Sequence, residues 1–255
     1  MLTSPKNPRI QQIRKLQNSA HTRRDVGLFV IEGVRLAEEA LIAQWQPELV
    51  LFTDDLGDRG QPIVDSYRQR GAEVLSVASQ VMQAASDTQT PQGILVVLPL
   101  PNWELPAPLT FVLIPDGLRD PGNLGTLLRT ALAAGVEAVV LPSGSVDAFA
   151  PKVVRAGMGA HFKLPILSMD WETLGPRLTG LNIFVADSSG GTPHYQADFV
   201  APLAIIIGGE AEGAGNQAQK LATSRIHIPM PGDAESLNAA VAGAILMFEV
   251  VRQRG

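Results

Sequence analysis

Five short runs in the second half of the chain, 110–114, 138–141, 182–186, 203–207 and 225–228, are rich in aliphatic residues, nearly continuously so in the first four. A strand with one wet face alternates apolar and polar residues, whereas a strand covered on both faces does not. These runs therefore predict parallel strands, with helices over both faces at about 123–134, 151–157, 171–179, 214–222 and 236–253. The first half also alternates, with strands expected at 28–31, 49–53, 73–77 and 93–98 and helices at 33–44, 62–70 and 79–85. Ahead of them, Ile10, Ile13 and Leu16 have helical spacing in a polar, basic segment. The class is α/β throughout.

Residues 99–109 hold Pro99, Pro101, Pro106 and Pro108. Proline lacks an amide donor and restrains its predecessor, so this stretch reads as a semi-rigid linker. The expected division is a first domain at 1–98, the linker, and a second domain at 110–255.

Several functional classes are excluded by residues the chain lacks. With no cysteine there is no disulfide framework, thiolate zinc site or cysteine nucleophile. The histidines His21, His161, His194 and His227 are at least 33 residues apart and form no local metal motif, so no metal is expected. There is no Gly-Lys dipeptide, G-x-S-x-G or H-E-x-x-H. No apolar run reaches the roughly 18 residues of a membrane span, and the expectation is a soluble cytoplasmic protein. The net charge is −5, but its distribution is uneven. Residues 1–24 carry +6 with no acidic residue, 25–101 carry −7 and 102–255 carry −4. Binding of nucleic acid over the whole surface is therefore disfavoured, and any phosphate contacts would fall to the basic arm and to scattered cations (Arg119, Arg129, Lys152, Arg155), not to the acidic body.

Three loops carry chemistry beyond packing, and each follows a predicted strand at the end where open parallel sheets bind ligands. The first runs from Asp116 to Arg129, with Asn123 placed to cap a helix and Arg129 six residues further on among apolar neighbours. An arginine in such surroundings calls for a carboxylate or phosphate partner. The second, from Gly208, is Gly-Gly-Glu-Ala-Glu-Gly-Ala-Gly-Asn. Its Gly213-x-Gly215-x-x-Ala218 superficially fits a dinucleotide fingerprint, with Asp233 or Glu235 as the ribose acid. Glu210 and Glu212 would then lie beside a pyrophosphate, so the loop better suits a ligand without phosphates. In the third, 228–238, Pro229 and Pro231 stiffen a loop that ends in Ser236, a good helix cap, and Asn238, which capping by Ser236 leaves without a role.

In order and spacing these loops resemble the three motifs of the SpoU/TrmH-type RNA ribose 2′-O-methyltransferases of the SPOUT class. The matches are N-x-G-x-x-x-R at 123–129, G-x-E-x-E-G at 208–213 and I-P-M-x-G-x-x-x-S-L-N at 228–238, with Gly209 and Ala211 a mild departure. The Asn7-Pro-Arg-Ile start, the basic helix and Phe29-Val-Ile-Glu-Gly33 resemble the substrate-binding domain of the rRNA-directed members. The resemblance implies a small N-terminal α/β/α substrate-binding domain and a C-terminal α/β domain. An open doubly wound sheet is what the strands alone suggest; the family instead ties its last segment into a deep trefoil knot.

It further implies S-adenosylmethionine as cofactor, near Gly208, Ile228, Leu237, Met230 and Leu141, without a metal. Arg129 would be the catalytic residue, with Asn123 and Glu210 orienting it and Ser236 and Asn238 ordering loop and ribose. The implied reaction is displacement of the cofactor methyl by a ribose 2′-hydroxyl. Because a guanidinium stays protonated, Arg129 reads as a charge clamp on phosphate and the developing oxyanion. The implied partners are rRNA, with tRNA as the alternative, and a second copy of the chain through the C-terminal domain. Two readings of other classes are an NAD-type oxidoreductase built on the Gly213 loop and a non-catalytic RNA-binding protein.

Overall fold

The computed structural model describes every residue except Ala211 and Asp233, and it separates into two units. One is Met1–Asn102 with Phe149–Phe162; the other is Trp103–Ala148 with Lys163–Gly255. The expectations on Ala211 and Asp233 lie outside the described residues.

In the first unit, helix α1 (Pro8–Asn18) starts where the Asn7 side chain accepts from the Arg9 amide at 2.9 Å and Pro8 supplies a preset first turn. Helix α2 (Ala20–Val26) and strand β1 (Leu28–Glu32) follow, then α3 (Val34–Ile42), β2 (Leu49–Phe52), α4 (Gly57–Gln69), β3 (Val74–Ser76), α5 (Ser79–Ala85) and β4 (Ile94–Pro99). The sheet order is β1-β4-β2-β3, with only the β2–β3 pair parallel. Alternate residues enter two cores. Phe29, Ile31, Ile94 and Val96 pack on one face, while Val30, Leu95 and Val97 meet Ile10, Ile13 and Leu16 of α1 on the other. The basic helix is therefore bolted into a core and is not a free arm.

The second unit carries β5 (Phe111–Asp116), α6 (Pro121–Ala133) and β6 (Ala138–Leu141). The next helix, α7 (Pro151–Gly157), packs with the first unit, not with the second domain as expected. The reason is apolar. Val154 and Phe162 enter the Phe29 core, and Phe149 meets the Phe29 ring edge-on at 5.0 Å. Lys152 and Arg155 travel with it, and Arg155 pairs with Asp87 at 3.0 Å.

The second unit continues with β7 (Ile166–Ser168), α8 (Trp171–Arg177), β8 (Asn182–Ala186), β9 (Thr192–Pro193), β10 (Leu203–Gly208), α9 (Asn216–Leu221), β11 (Ser224–His227) and α10 (Ala239–Arg254). Its sheet order is β7-β6-β5-β10-β8-β11-β9, and all six pairings are parallel, as the aliphatic runs require. Strands β7 and β9, of three and two residues, are too short to show in an apolar pattern. The chain steps outward from β5 to β7, and β10 later returns beside β5 with Gly208 level with Asp116. That reversal of strand order opens a crevice at the carboxyl ends of the strands.

Two helix caps differ from expectation. Asp120, not Asn123, caps α6, its Oδ1 accepting from the Asn123 amide at 2.8 Å. Asn238, not Ser236, caps α10, its Oδ1 accepting from the Ala240 and Val241 amides at 2.9 and 3.2 Å. Helix α10 approaches α6 at Gly243, where a β-carbon would lie 2.3 Å from Leu127 Cδ2. Among the described residues no helix is long and apolar enough to cross a membrane.

Candidate functional site

The loop after β10 is shaped by its backbone. The Gly209 and Gly213 amides each donate to the other's carbonyl, at 3.2 and 3.0 Å, so Glu210 and Glu212 sit on a closed turn. Gly208 has to be glycine, because a β-carbon there would meet the Ala214 nitrogen at 2.1 Å. Buried Asp116 at the end of β5 ties the far side of the turn down, its Oδ2 accepting from the Gly215 amide at 2.8 Å.

One residue from each of the three loops meets in a directional hydrogen-bond chain. Asn238 Nδ2 donates to Asn123 Oδ1 at 2.9 Å, and Asn123 Nδ2 donates to Glu210 Oε1 at 2.7 Å. Asn123 sits there because Asp120 starts α6 three residues earlier, and Asn238 because it starts α10. The polarity is fixed at both ends. Asn238 has spent its oxygen on the α10 amides, and the carboxylate of Glu210 can only accept.

Glu210 and Asn238 border a cavity of about 580 Å³, which the ends of β8, β10 and β11 and the loop before α10 also line. Gly208, Ile228, Met230, Leu237 and Ser236 are in its wall, five residues singled out from the sequence. Leu141 is not; it lies buried at the end of β6, paired with Ser168 of β7 on the other side of β5. Sequence reasoning missed Asp187, Gln219 and His227 of the wall. Nothing in their local pattern marks them; β8, α9 and β11 bring them together.

The wall carries the carboxylates Asp187, Glu210, Glu212 and Glu235 and, among the described residues, no lysine or arginine. The Ser189 hydroxyl and amide donate to Asp187 Oδ1 at 2.6 and 2.9 Å and hold that carboxyl below its usual range. Such a wall suits a cationic ligand and repels a pyrophosphate, which argues against the dinucleotide reading of the Gly213 loop. The volume is that of a small-molecule site. No group of three His, Asp or Glu placed to hold a metal occurs among the described residues.

Arg129 is not drawn into the hydrogen-bonded chain. It is exposed, and among the described residues it has no hydrogen bond or ion pair. Six residues along a helix turn a side chain by roughly 120° and advance it about 9 Å, so Arg129 and Asn123 point to different sides of α6. The expected orientation of Arg129 by Asn123 and Glu210 is therefore absent from this arrangement, in which those two hold each other.

Comparison with known proteins places the geometry. The model of the SpoU rRNA Methylase family matches residues 110–248, and that of the MRM3-like substrate binding domain matches 7–96. The chain is 32% identical over 254 residues to the 23S rRNA (guanosine(2553)-2′-O)-methyltransferase RlmP of Bacillus subtilis, covering 98% of both chains. It is 33% identical over 310 residues to the human mitochondrial rRNA methyltransferase 3, covering 98% of this chain and 73% of that one. Among solved structures, the SpoU methyltransferase AviRb of Streptomyces viridochromogenes in complex with AdoMet superposes with a TM-score of 0.89 at 27% identity, covering 98% of each chain. The AdoMet-bound rRNA methyltransferase of Sinorhizobium meliloti gives 0.88 at 28%, covering 98% and 97%. With two of the three loops lining one cavity, the first hydrogen-bonded to both through Asn123, and a family model spanning the whole second sheet, the chain belongs to the SpoU rRNA methylase family.

Proposed function

We propose that this protein methylates a ribose 2′-hydroxyl of ribosomal RNA with S-adenosylmethionine as methyl donor. The observation that carries the reading is the Asn238–Asn123–Glu210 chain at the border of an acidic, phosphate-averse cavity. When bound, the cofactor supplies a methyl group on a positively charged sulfur. The residues fit such a group: four wall carboxylates attract the charge, and the apolar faces of Ile228, Met230 and Leu237 suit a nucleoside. Gly208 lets backbone approach closely, as its clash with any β-carbon indicates.

This chain's own residues position and neutralise. Asn238 and Glu210 fix Asn123 at the cavity border, and Ser236, whose hydroxyl has no hydrogen bond among the described residues, lines the same cavity. Arg129, unpaired among the described residues, is available to hold a backbone phosphate and to stabilise charge growing on the 2′-oxygen. The match of the substrate-binding model to 7–96 and the names of the relatives favour rRNA over tRNA.

Two further elements belong to the same reading. One is the trefoil knot of the 208–238 region, supported by the likeness to SpoU methyltransferase structures. The other is a homodimer through α10, supported by exposed Val241, Phe248 and Val251 on that helix and Leu237 just before it. Replacing Phe248 by Glu should convert the dimer to monomer in sedimentation; a variant that stays dimeric removes α10 from the interface.

The test of the reaction is transfer of labelled methyl from S-adenosylmethionine to rRNA fragments, followed by alkaline hydrolysis. A 2′-O-methyl group blocks that hydrolysis, so label should appear in alkali-resistant dinucleotides. Label recovered only in mononucleotides would mean base methylation and would overturn the proposal.

A further inference from the structure

The sheet of the first unit sorts its side chains by type as well as by face. All six Phe, Tyr and Trp residues of this unit, Phe29, Trp45, Phe52, Tyr67, Phe149 and Phe162, belong to the core on the α3 and α4 side, and none is exposed. The other core, under α1 and α5, holds only Ile, Leu, Val, Ala and Met. The surface over that second core is equally selective. Helix α1 buries Ile10, Ile13, Leu16 and Gln17 and leaves Gln11, Arg14, Lys15 and Asn18 exposed. At 3.6 residues per turn these four share an arc of roughly 100° along about 10 Å of helix. Its neighbour α5 exposes Ser79, Gln80 and Gln83, and neither helix carries an acidic residue. Of the acids that could mask the charge, Glu73 is taken up by Arg9 and Asp25 by His21. The Arg14 and Lys15 side chains make no hydrogen bond or ion pair among the described residues.

We propose that this α1–α5 face docks double-helical RNA, reading its shape through phosphates and 2′-hydroxyls, and not a single strand. The inference rests on the RNA reading above. A single strand is held by stacking its bases on aromatic rings, and the sheet has sent every Phe, Tyr and Trp of the unit to the opposite side. A duplex hides its bases and presents phosphates and, in RNA, 2′-hydroxyls. Arg14 and Lys15 supply the charge for the phosphates. The amides lie on the same arc and suit the hydroxyl, which both donates and accepts. Gln11 can do either, and Asn18, whose Nδ2 donates to the Arg14 carbonyl at 2.8 Å, keeps its oxygen to accept.

Fluorescence-anisotropy titration of the full chain with three labelled probes tests this without measuring turnover. The probes are an RNA duplex of about 16 base pairs, an unstructured RNA strand of the same length and a DNA duplex of the same sequence. The wild-type protein should bind the RNA duplex about tenfold more tightly than either other probe. Replacing Arg14 and Lys15 together by Ala should weaken the RNA duplex about tenfold and lower its salt slope by about 2, with the single strand moved less than about twofold. Replacing Gln11 and Asn18 together by Ala should abolish the preference for RNA duplex over DNA duplex and leave the salt slope in place. All four positions are exposed, and thermal melts establish that both variants fold. A wild-type protein that binds strand and duplex equally would overturn the inference, as would an Arg14/Lys15 variant that loses both alike or a Gln11/Asn18 variant that keeps the full RNA preference. A wild-type protein that binds neither form of RNA would instead overturn the RNA reading itself.

Discussion

Asn238 has two jobs that different substitutions pull apart. Its Oδ1 caps α10 by accepting from two amides, and its Nδ2 holds Asn123, which in turn holds Glu210. Asn238→Ala removes both. Losing the cap costs about 1 kcal/mol and losing an exposed side-chain hydrogen bond about 0.5 kcal/mol, a total of about 1.5 kcal/mol. For a chain of this size that lowers Tm by roughly 3–6 °C. Asn238→Asp keeps an oxygen for the cap and adds a negative charge at a helix N-terminus, so Tm should fall by less than about 1 °C. It nevertheless deletes the donor to Asn123 and places a carboxylate on each side of that amide, which has one NH₂ group to offer. Asn123 is then pulled both ways. Methyl transfer to rRNA should fall by about 10²-fold or more in both variants, while only the alanine variant melts early. The assays are a thermal melt and the labelled-methyl assay, run on the same preparations. An aspartate variant with wild-type turnover would refute a functional role for the hydrogen-bond chain and leave Asn238 as a cap alone.

Arg129→Ala should leave stability within about 0.5 kcal/mol, since the side chain is exposed and unpaired among the described residues, yet reduce methylation by about 10²-fold or more. Arg129→Lys with near-normal turnover would favour a point-charge clamp over a bidentate one, and Arg129→Ala with full turnover would dismiss the residue. Deleting residues 1–24, the direct test of the basic arm, would strip Ile10, Ile13 and Leu16 from a core and unfold the first unit. Arg23 is likewise structural, donating to the Leu16 and Gln17 carbonyls, and Arg9 pairs with Glu73. The exposed set Lys6, Arg14, Lys15 and Arg24 remains; replacing all four by Ala should weaken RNA binding and lower its salt slope by about 3, with cofactor binding unchanged. At the other end of the chain, the Arg252 side chain holds the Glu249 carboxyl down to about 2. A depressed carboxylate pKa stabilises above the unfolded value and loses that contribution as pH falls through the folded one. The stability gap between wild type and Glu249→Gln should thus be full above about pH 4.5 and close towards pH 2 in denaturant titrations; a gap unchanged across that window would contradict the pairing.

Local sequence determined most of the parallel sheet of the second unit, because strands buried on both faces must be apolar and four of the five runs are nearly so throughout; the fifth, Arg225-Ile-His-Ile, alternates and leaves Arg225 exposed. Turn and helix-start chemistry also singled out Glu210, Ser236 and Asn238, while Gly208, Ile228, Met230 and Leu237 were marked by the resemblance to the three family motifs, whose residues recur at fixed spacing. What local sequence could not determine depends on contacts between distant segments. The polar role of Asn238 requires both the α10 cap and an Asn123 lying 115 residues away in sequence. The attachment of α7 to the first unit follows from Phe149, Val154 and Phe162 finding the Phe29 core, a preference that no local pattern encodes. The exclusion of Leu141 from the cavity follows from strand order, which places β6 on the far side of β5 from β10.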